Sequence, residues 1–128
     1  MKAVLASVKP EWWEKILSGE KTLEIRKSAP QNKDGRAFRW PLIVLVYVSG
    51  TGAVQGEFTC PGWVQTNLLE MLVFGSGVKL EDLQAYAKGG SLYGWLVEKP
   101  KKYYIPHTLE DFGVKKPPMS WQYVDIPF

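Results

Sequence analysis

Cysteine occurs once and histidine once in this chain of 128 residues. Cys60 therefore has no internal disulfide partner, which fits a reducing, cytoplasmic setting. With His107 equally alone, no two soft or imidazole ligands stand at the spacing of a zinc site, so neither a metal nor a cofactor is expected. His107 follows Pro106 in a loop and reads as an ordinary surface or hinge histidine rather than a catalytic base. Long apolar runs are missing too. The longest, Leu42 to Val48, falls far short of the ~20 residues that cross a bilayer. Lys2, Lys9 and Glu11 interrupt the N-terminus before an h-region forms, so no signal peptide is expected. Charge is sparse: charged residues make up 23% and the net charge is +3, against 45% hydrophobic residues, which argues for a packed core and against disorder. Phosphate-loop and dinucleotide patterns are absent, since Gly50-Thr51-Gly52 lacks the remaining glycines and the following helix. The length suits one domain, 1–128.

What the chain does have is a dense polar stretch, Gly19-Glu20-Lys21-Thr22-Leu23-Glu24-Ile25-Arg26. Upstream, Pro10 suits the first turn of a helix. Trp12, Trp13, Ile16 and Leu17 follow at helical spacing, and Gly19 supplies the left-handed residue that ends it. From Thr22 the period becomes two: Leu23 and Ile25 point one way, Thr22, Glu24 and Arg26 the other. A hydroxyl, a carboxylate and a guanidinium then share one strand face, with Lys21 at its mouth and Lys9 across the helix. A solvated face with a Glu24–Arg26 ion pair, contributing roughly 0–1 kcal/mol, is one explanation. A binding or catalytic cluster is the other. There Lys21 is pulled down by burial and up by the neighbouring carboxylate, acting as a general base in the first case and as an electrostatic clamp in the second.

The remaining chain alternates short strands with turns. Lys2 to Val8 reads as a first strand, and residues 27–38 as a polar loop with an Asp34-Gly35 turn. Arg39 to Val48 reads as a strand buried on both faces, returning after Gly50-Thr51-Gly52 as Ala53 to Phe58. Cys60-Pro61-Gly62 breaks the ladder before Trp63 to Gln65. Asn67 to Leu72 is a weak helix candidate, and Leu80 to Ala87 carries the stripe Leu80, Leu83, Tyr86, Ala87. Leu92 to Val97 and Lys102 to Ile105 close the strand list, and an aromatic stretch ends the tail. Positive charge gathers at the ends: residues 1–39 hold nine Lys/Arg against five acids, and residues 99–128 five against three. A fold joining those ends would present a basic face to a polyanion, with Arg36 and Arg39 among its phosphate contacts. Trp12-Trp13, Trp40, Tyr103-Tyr104 and Trp121 adjoin basic or turn residues, the setting in which unpaired bases stack, although aromatics also build cores.

Gly19-x-Lys21-x-x-Glu24-x-Arg26 resembles the signature of the ASCH domain, a small β-barrel domain related to PUA domains. Ser7-Val8-Lys9-Pro10, Gly56-Glu57-Phe58, Tyr93-Gly94-Trp95 and Pro117-Pro118-Met119-Ser120-Trp121 are similar to further landmarks of the family, so the likeness spans nearly the whole chain. It implies an α+β, mainly β fold: a small mixed barrel of five or six strands with two or three short helices. It also implies a cleft beside the barrel that binds RNA or a nucleoside or nucleotide, with no membrane partner. Lys9, Arg26, Glu57, Tyr93 and Trp121 would be its ligand contacts beside Lys21 and Glu24. Some family members are acetylcytidine amidohydrolases and others ribonucleases. In the amidohydrolase branch the catalytic set is a lysine, a threonine three residues later and a distant glutamate. Lys21 matches the lysine, Glu24 stands at the threonine position, Thr22 lies one residue after the lysine, and Glu57 and Glu70 are the candidates for the distant acid.

Overall fold

A computed structural model describes residues 1–31 and 41–127. Among these residues eight strands form two sheets. In the larger, the order is β7-β4-β3-β1-β8, with β1 Lys2–Val8, β3 Leu42–Val48, β4 Ala53–Cys60, β7 Glu98–His107 and β8 Trp121–Asp125. In the smaller, β2 Leu23–Arg26 and β5 Trp63–Thr66 flank β6 Leu92–Leu96. β1 and β3 run parallel, with Val4 opposite Val44 and Val8 opposite Val48; the other pairings are antiparallel. Interior strand β1 is apolar on both faces, as the position demands. Val4, Ala6 and Val8 join a core with Trp13, Phe58 and Trp95, while Ala3 and Leu5 join another with Val54 and Phe112.

Helix α1, Pro10–Ser18, closes the first core. Pro10 occupies its first turn, Trp13 and Ile16 are its buried residues, and Gly19, at φ 86°, ends it with its N–H donated to Ile16 O. Gly56 is required beneath that helix: a Cβ there would meet the Trp13 ring and the Lys101 carbonyl. A third core, Ile25, Leu69, Leu72, Leu83 and Leu92, lies against the small sheet. It is built from a 3-10 turn, Leu69–Leu72, the single turn α2, Val73–Ser76, and helix α3, Leu80–Ala87. Among the described residues, no helix is long and apolar enough to cross a membrane.

The mainly β, α+β character and the short helices agree with expectation, with differences in detail. The strands number eight among the described residues instead of five or six, and the two sheets stay open because β2 pairs with β6 and not with the larger sheet. Trp121–Asp125 is a strand, and β7 runs ten residues, from Glu98, well before Lys102. Cys60 ends a strand instead of breaking one, and Asn67 to Leu72 forms only the 3-10 turn. The expected start of β3 at Arg39 lies outside the described residues.

Candidate functional site

Between the first turn of α1, the start of β2 and one face of α3 lies a cleft of about 400 Å³, lined by Lys9, Trp12, Lys21, Glu24, Arg26, Asp82 and Tyr86 among others. Three of these are charged and yet almost wholly buried: Lys21 at 2% exposure, Glu24 at 6% and Arg26 at 7%. Buried charge is expensive unless paired or hydrogen-bonded, so the partners decide what each residue does.

Arg26 is held by the fold through its two terminal nitrogens. Its Nη1 donates to Ser120 O at 3.0 Å and Ser120 Oγ at 3.1 Å, and its Nη2 donates to Ser7 O at 2.8 Å. It thereby ties β2 of the small sheet to β1 and to the residue preceding β8. Its Nε stands 3.4 Å from Glu24 Oε1, an ion-pair contact without hydrogen-bond geometry.

Lys21 is held differently. Its Nζ donates to the Ser76 carbonyl at 2.7 Å and sits 4.6 Å above the Trp12 ring. No carboxylate lies within ion-pair distance of it among the described residues. Burial pulls its pKa below the ordinary lysine value; Glu24 opposes this, while Arg26 and Lys15 add to it. Glu24 is the least satisfied: its Oε2 is buried and has no hydrogen-bond partner among the described residues. A buried, unpaired carboxylate oxygen costs more than the ~1–3 kcal/mol of a neutral polar group, and such orphans call for an explanation.

The alternation across β2 brings Glu24 and Arg26 together as expected, and Lys21 reaches the same cleft, as does the exposed Lys9. Thr22 does not line it. It is exposed, its N–H donates to Gly75 O at 2.7 Å, and β2 begins only at Leu23. Glu57 lies on the opposite face of the large sheet, across from Leu45 of the second core, and accepts from Tyr103 Oη at 2.8 Å. Glu70 is exposed on the 3-10 turn. Tyr93 packs edge-on to Trp63 at 5.0 Å, and Trp121 donates its Nε1 to Ser28 Oγ at 3.0 Å and stacks edge-on to Trp95; neither lines the cleft. Arg36 and Arg39, with Trp40, lie outside the described residues. Trp13 is core, and Trp12 carries Lys21 on its ring, so neither is an open platform for a base.

Sequence reasoning passed over Asp82 and Ser76. The first sits one helical turn before Tyr86, a spacing that places both on one face. The second lies between two glycines, Gly75 and Gly77, a local pattern that marks a loop and gives no sign of a site.

No family model matches the sequence, and no curated protein is significantly similar to it. Solved structures are similar. The ASCH protein of Zymomonas mobilis superposes with a TM-score of 0.78 at 19% identity, over 96% of this chain and 87% of that one. A tyrosine-to-phenylalanine variant of it gives 0.79 at 19% identity over 98% and 91%, and a serine-to-alanine variant 0.77 at 18% over 96% and 88%. At that identity the likeness speaks for architecture, and the architecture is clear: this chain has the ASCH fold.

Proposed function

We propose that the chain is an ASCH-domain protein whose cleft binds a nucleobase, presented by single-stranded RNA or by a free or modified nucleoside. The orphaned Glu24 Oε2 carries this reading, because it asks for a ligand with an N–H donor. An exocyclic amine or ring N–H supplies one, and Lys21 can donate to a carbonyl on the same ring. A bare phosphate is the poorer fit: the cleft sets Glu24 and Asp82 among its cations Lys9, Lys21 and Arg26, so an anion would face two carboxylates. The volume lies within the ~300–1,000 Å³ usual for small-ligand sites. The exposed lysines Lys99, Lys101, Lys102, Lys115 and Lys116 are available to an RNA backbone, and a reducing cytoplasm suits a chain whose Cys60 is a free, buried thiol.

Calorimetric titration of the four nucleosides and short single-stranded RNAs tests this. Glu24→Gln should weaken binding about tenfold or more, the value of one hydrogen bond to a charged group. Wild-type protein that binds neither nucleosides nor RNA at ~50 mM salt, where phosphate contacts are strongest, defeats the proposal.

One observation favours a second, hydrolytic reading. The depressed pKa of Lys21 raises its neutral fraction, and a neutral amine can take a proton from water as that water adds to an acyl carbon. The C–N bond would then break with the proton passing to the departing nitrogen. Release of carboxylate from an N-acylated nucleoside, lost in Lys21→Ala, separates this reading from simple binding.

A further inference from the structure

Lys21 draws its position from a segment with little regular structure. Val73–Gly77 starts as a helical turn, but Phe74 (ψ 133°) and Gly75 (φ 89°, ψ −32°) leave helical geometry. Two successive carbonyls of this segment then face the start of β2: Gly75 O accepts from Thr22 N–H, and Ser76 O accepts from Lys21 Nζ, both at 2.7 Å. Gly75 has to be glycine, because its φ is positive and a Cβ would stand 3.0 Å from Thr22 Oγ1.

Ser76 itself is fully buried, at 0% exposure. Its hydroxyl donates to Val73 O at 3.2 Å and accepts from Val78 N–H at 3.1 Å. That hydroxyl joins the residues before and after its own carbonyl, and Val78 continues directly into the cleft wall ahead of α3. Without it, the Val78 N–H would lose its partner, and the Ser76–Gly77 peptide plane would keep only the Gly77 N–H bond to Val73 O at 3.3 Å as its local restraint. A backbone carbonyl is also an apt anchor for a working lysine. It accepts from the ammonium without neutralising it, whereas a carboxylate would form a closed ion pair.

We propose that Ser76 is a positioning residue for Lys21: its buried hydroxyl, bridging Val73 O and Val78 N–H, aims the Ser76 carbonyl at Lys21 Nζ and so presents the ammonium to the cleft. The proposal rests on the reading that Lys21 is the cleft's ligand-facing donor, but its test does not need a ligand. In protein labelled with ¹³C and ¹⁵N at lysine, the Nζ resonance of Lys21 is followed against pH by NMR. In Ser76→Ala the titration midpoint should move further down, because the charged form loses the hydrogen bond that favours it, and Ser76→Thr should restore the wild-type midpoint. A Ser76→Ala protein that melts earlier but titrates as wild type at Lys21 overturns the proposal and leaves Ser76 a core residue. Should neither variant fold, the wild-type spectrum decides. An ammonium held by a carbonyl exchanges its protons slowly and stays visible near neutral pH, where exposed lysines are broadened away; absence of that signal also overturns the proposal. If nucleosides bind, Ser76→Ala should weaken them about tenfold, near the value of one misplaced charge-assisted hydrogen bond. If none binds even the wild type, the functional reading fails while the Lys21 titration still judges this one.

Discussion

Glu24 and Glu57 are both strand carboxylates, each drawn from a motif of the same family likeness, and the fold treats them in opposite ways. Glu57 lies half-buried on the far face of the large sheet, where Tyr103 donates to it at 2.8 Å and solvent reaches the rest. Glu24 is buried in the cleft wall with one oxygen against Arg26 Nε and the other without a partner among the described residues. A satisfied polar pair stabilises and asks for nothing more. An unsatisfied one is tolerated only where something outside the chain completes it or where function holds the strain. The same contrast runs inside the cleft: Arg26 is consumed by three protein hydrogen bonds, while Lys21 makes one and faces a cavity.

The strongest way to break this comparison is through Arg26. If it is a clamp between sheets, Arg26→Ala removes the hydrogen bonds to Ser7 and Ser120 and leaves Glu24 buried without its counter-charge. Breaking a buried pair in this way typically costs about 3–5 kcal/mol. Equilibrium urea denaturation should show a loss of that order. A loss under ~1 kcal/mol would place Arg26 among exposed pairs of the ordinary kind and return it to the list of ligand contacts.

Alternation in Thr22–Arg26 was enough to place Glu24 and Arg26 on one face, and Pro10 and Gly19 were enough to bound α1. What could not be read was the use made of Arg26. Its acceptors are two backbone carbonyls and a serine hydroxyl, 19 and 94 residues away in sequence, and a carbonyl leaves no trace in residue identity. The anchor of Lys21 escaped notice for the same reason, since Ser76 acts through its main chain, 55 residues distant. Strand β8 was hidden by its place at the sheet edge, where only Val124 is buried and the in–out contrast fades. β7, rich in lysine and carrying Pro100 and Pro106, reads poorly as a strand because edge strands are blunted by those residues. Closure of the barrel depended on which strand β2 would join, and its partner β6 lies far along the chain, out of reach of local pattern.

A second, smaller test uses pH. Burial holds the folded pKa of Lys21 below its unfolded value near 10.4. Below the folded pKa the lysine is charged in both states and the folded state bears the full desolvation penalty. As pH rises through the folded pKa, the folded protein releases the proton first. The unfolded chain then binds more protons, so stability contributed by this site rises with pH until the unfolded lysine also titrates. Lys21→Met carries no such group. The stability of wild type relative to Lys21→Met should therefore improve between the depressed pKa and pH ~10.4. A constant difference across that window would mean that Lys21 is solvated like a surface lysine.

The smallest effect is expected on the far face. Tyr103→Phe removes the hydroxyl that donates to Glu57 and leaves that half-buried carboxylate open to water. The loss should be near the ~1 kcal/mol of an ordinary hydrogen bond. Nucleoside affinity should not change, since neither residue lines the cleft. The pH dependence gives a further check. Burial first, then the hydrogen bond and charge of Glu57, hold the Tyr103 phenol well above its usual value of 10.0. Its contribution is complete below the unfolded pKa near 10 and disappears as pH rises toward the folded value, because the unfolded tyrosine loses its proton first. Wild-type and Tyr103→Phe proteins should thus converge in stability above pH ~10. A Tyr103→Phe variant that weakens ligand binding would join the two faces functionally and dissolve the distinction between Glu24 and Glu57.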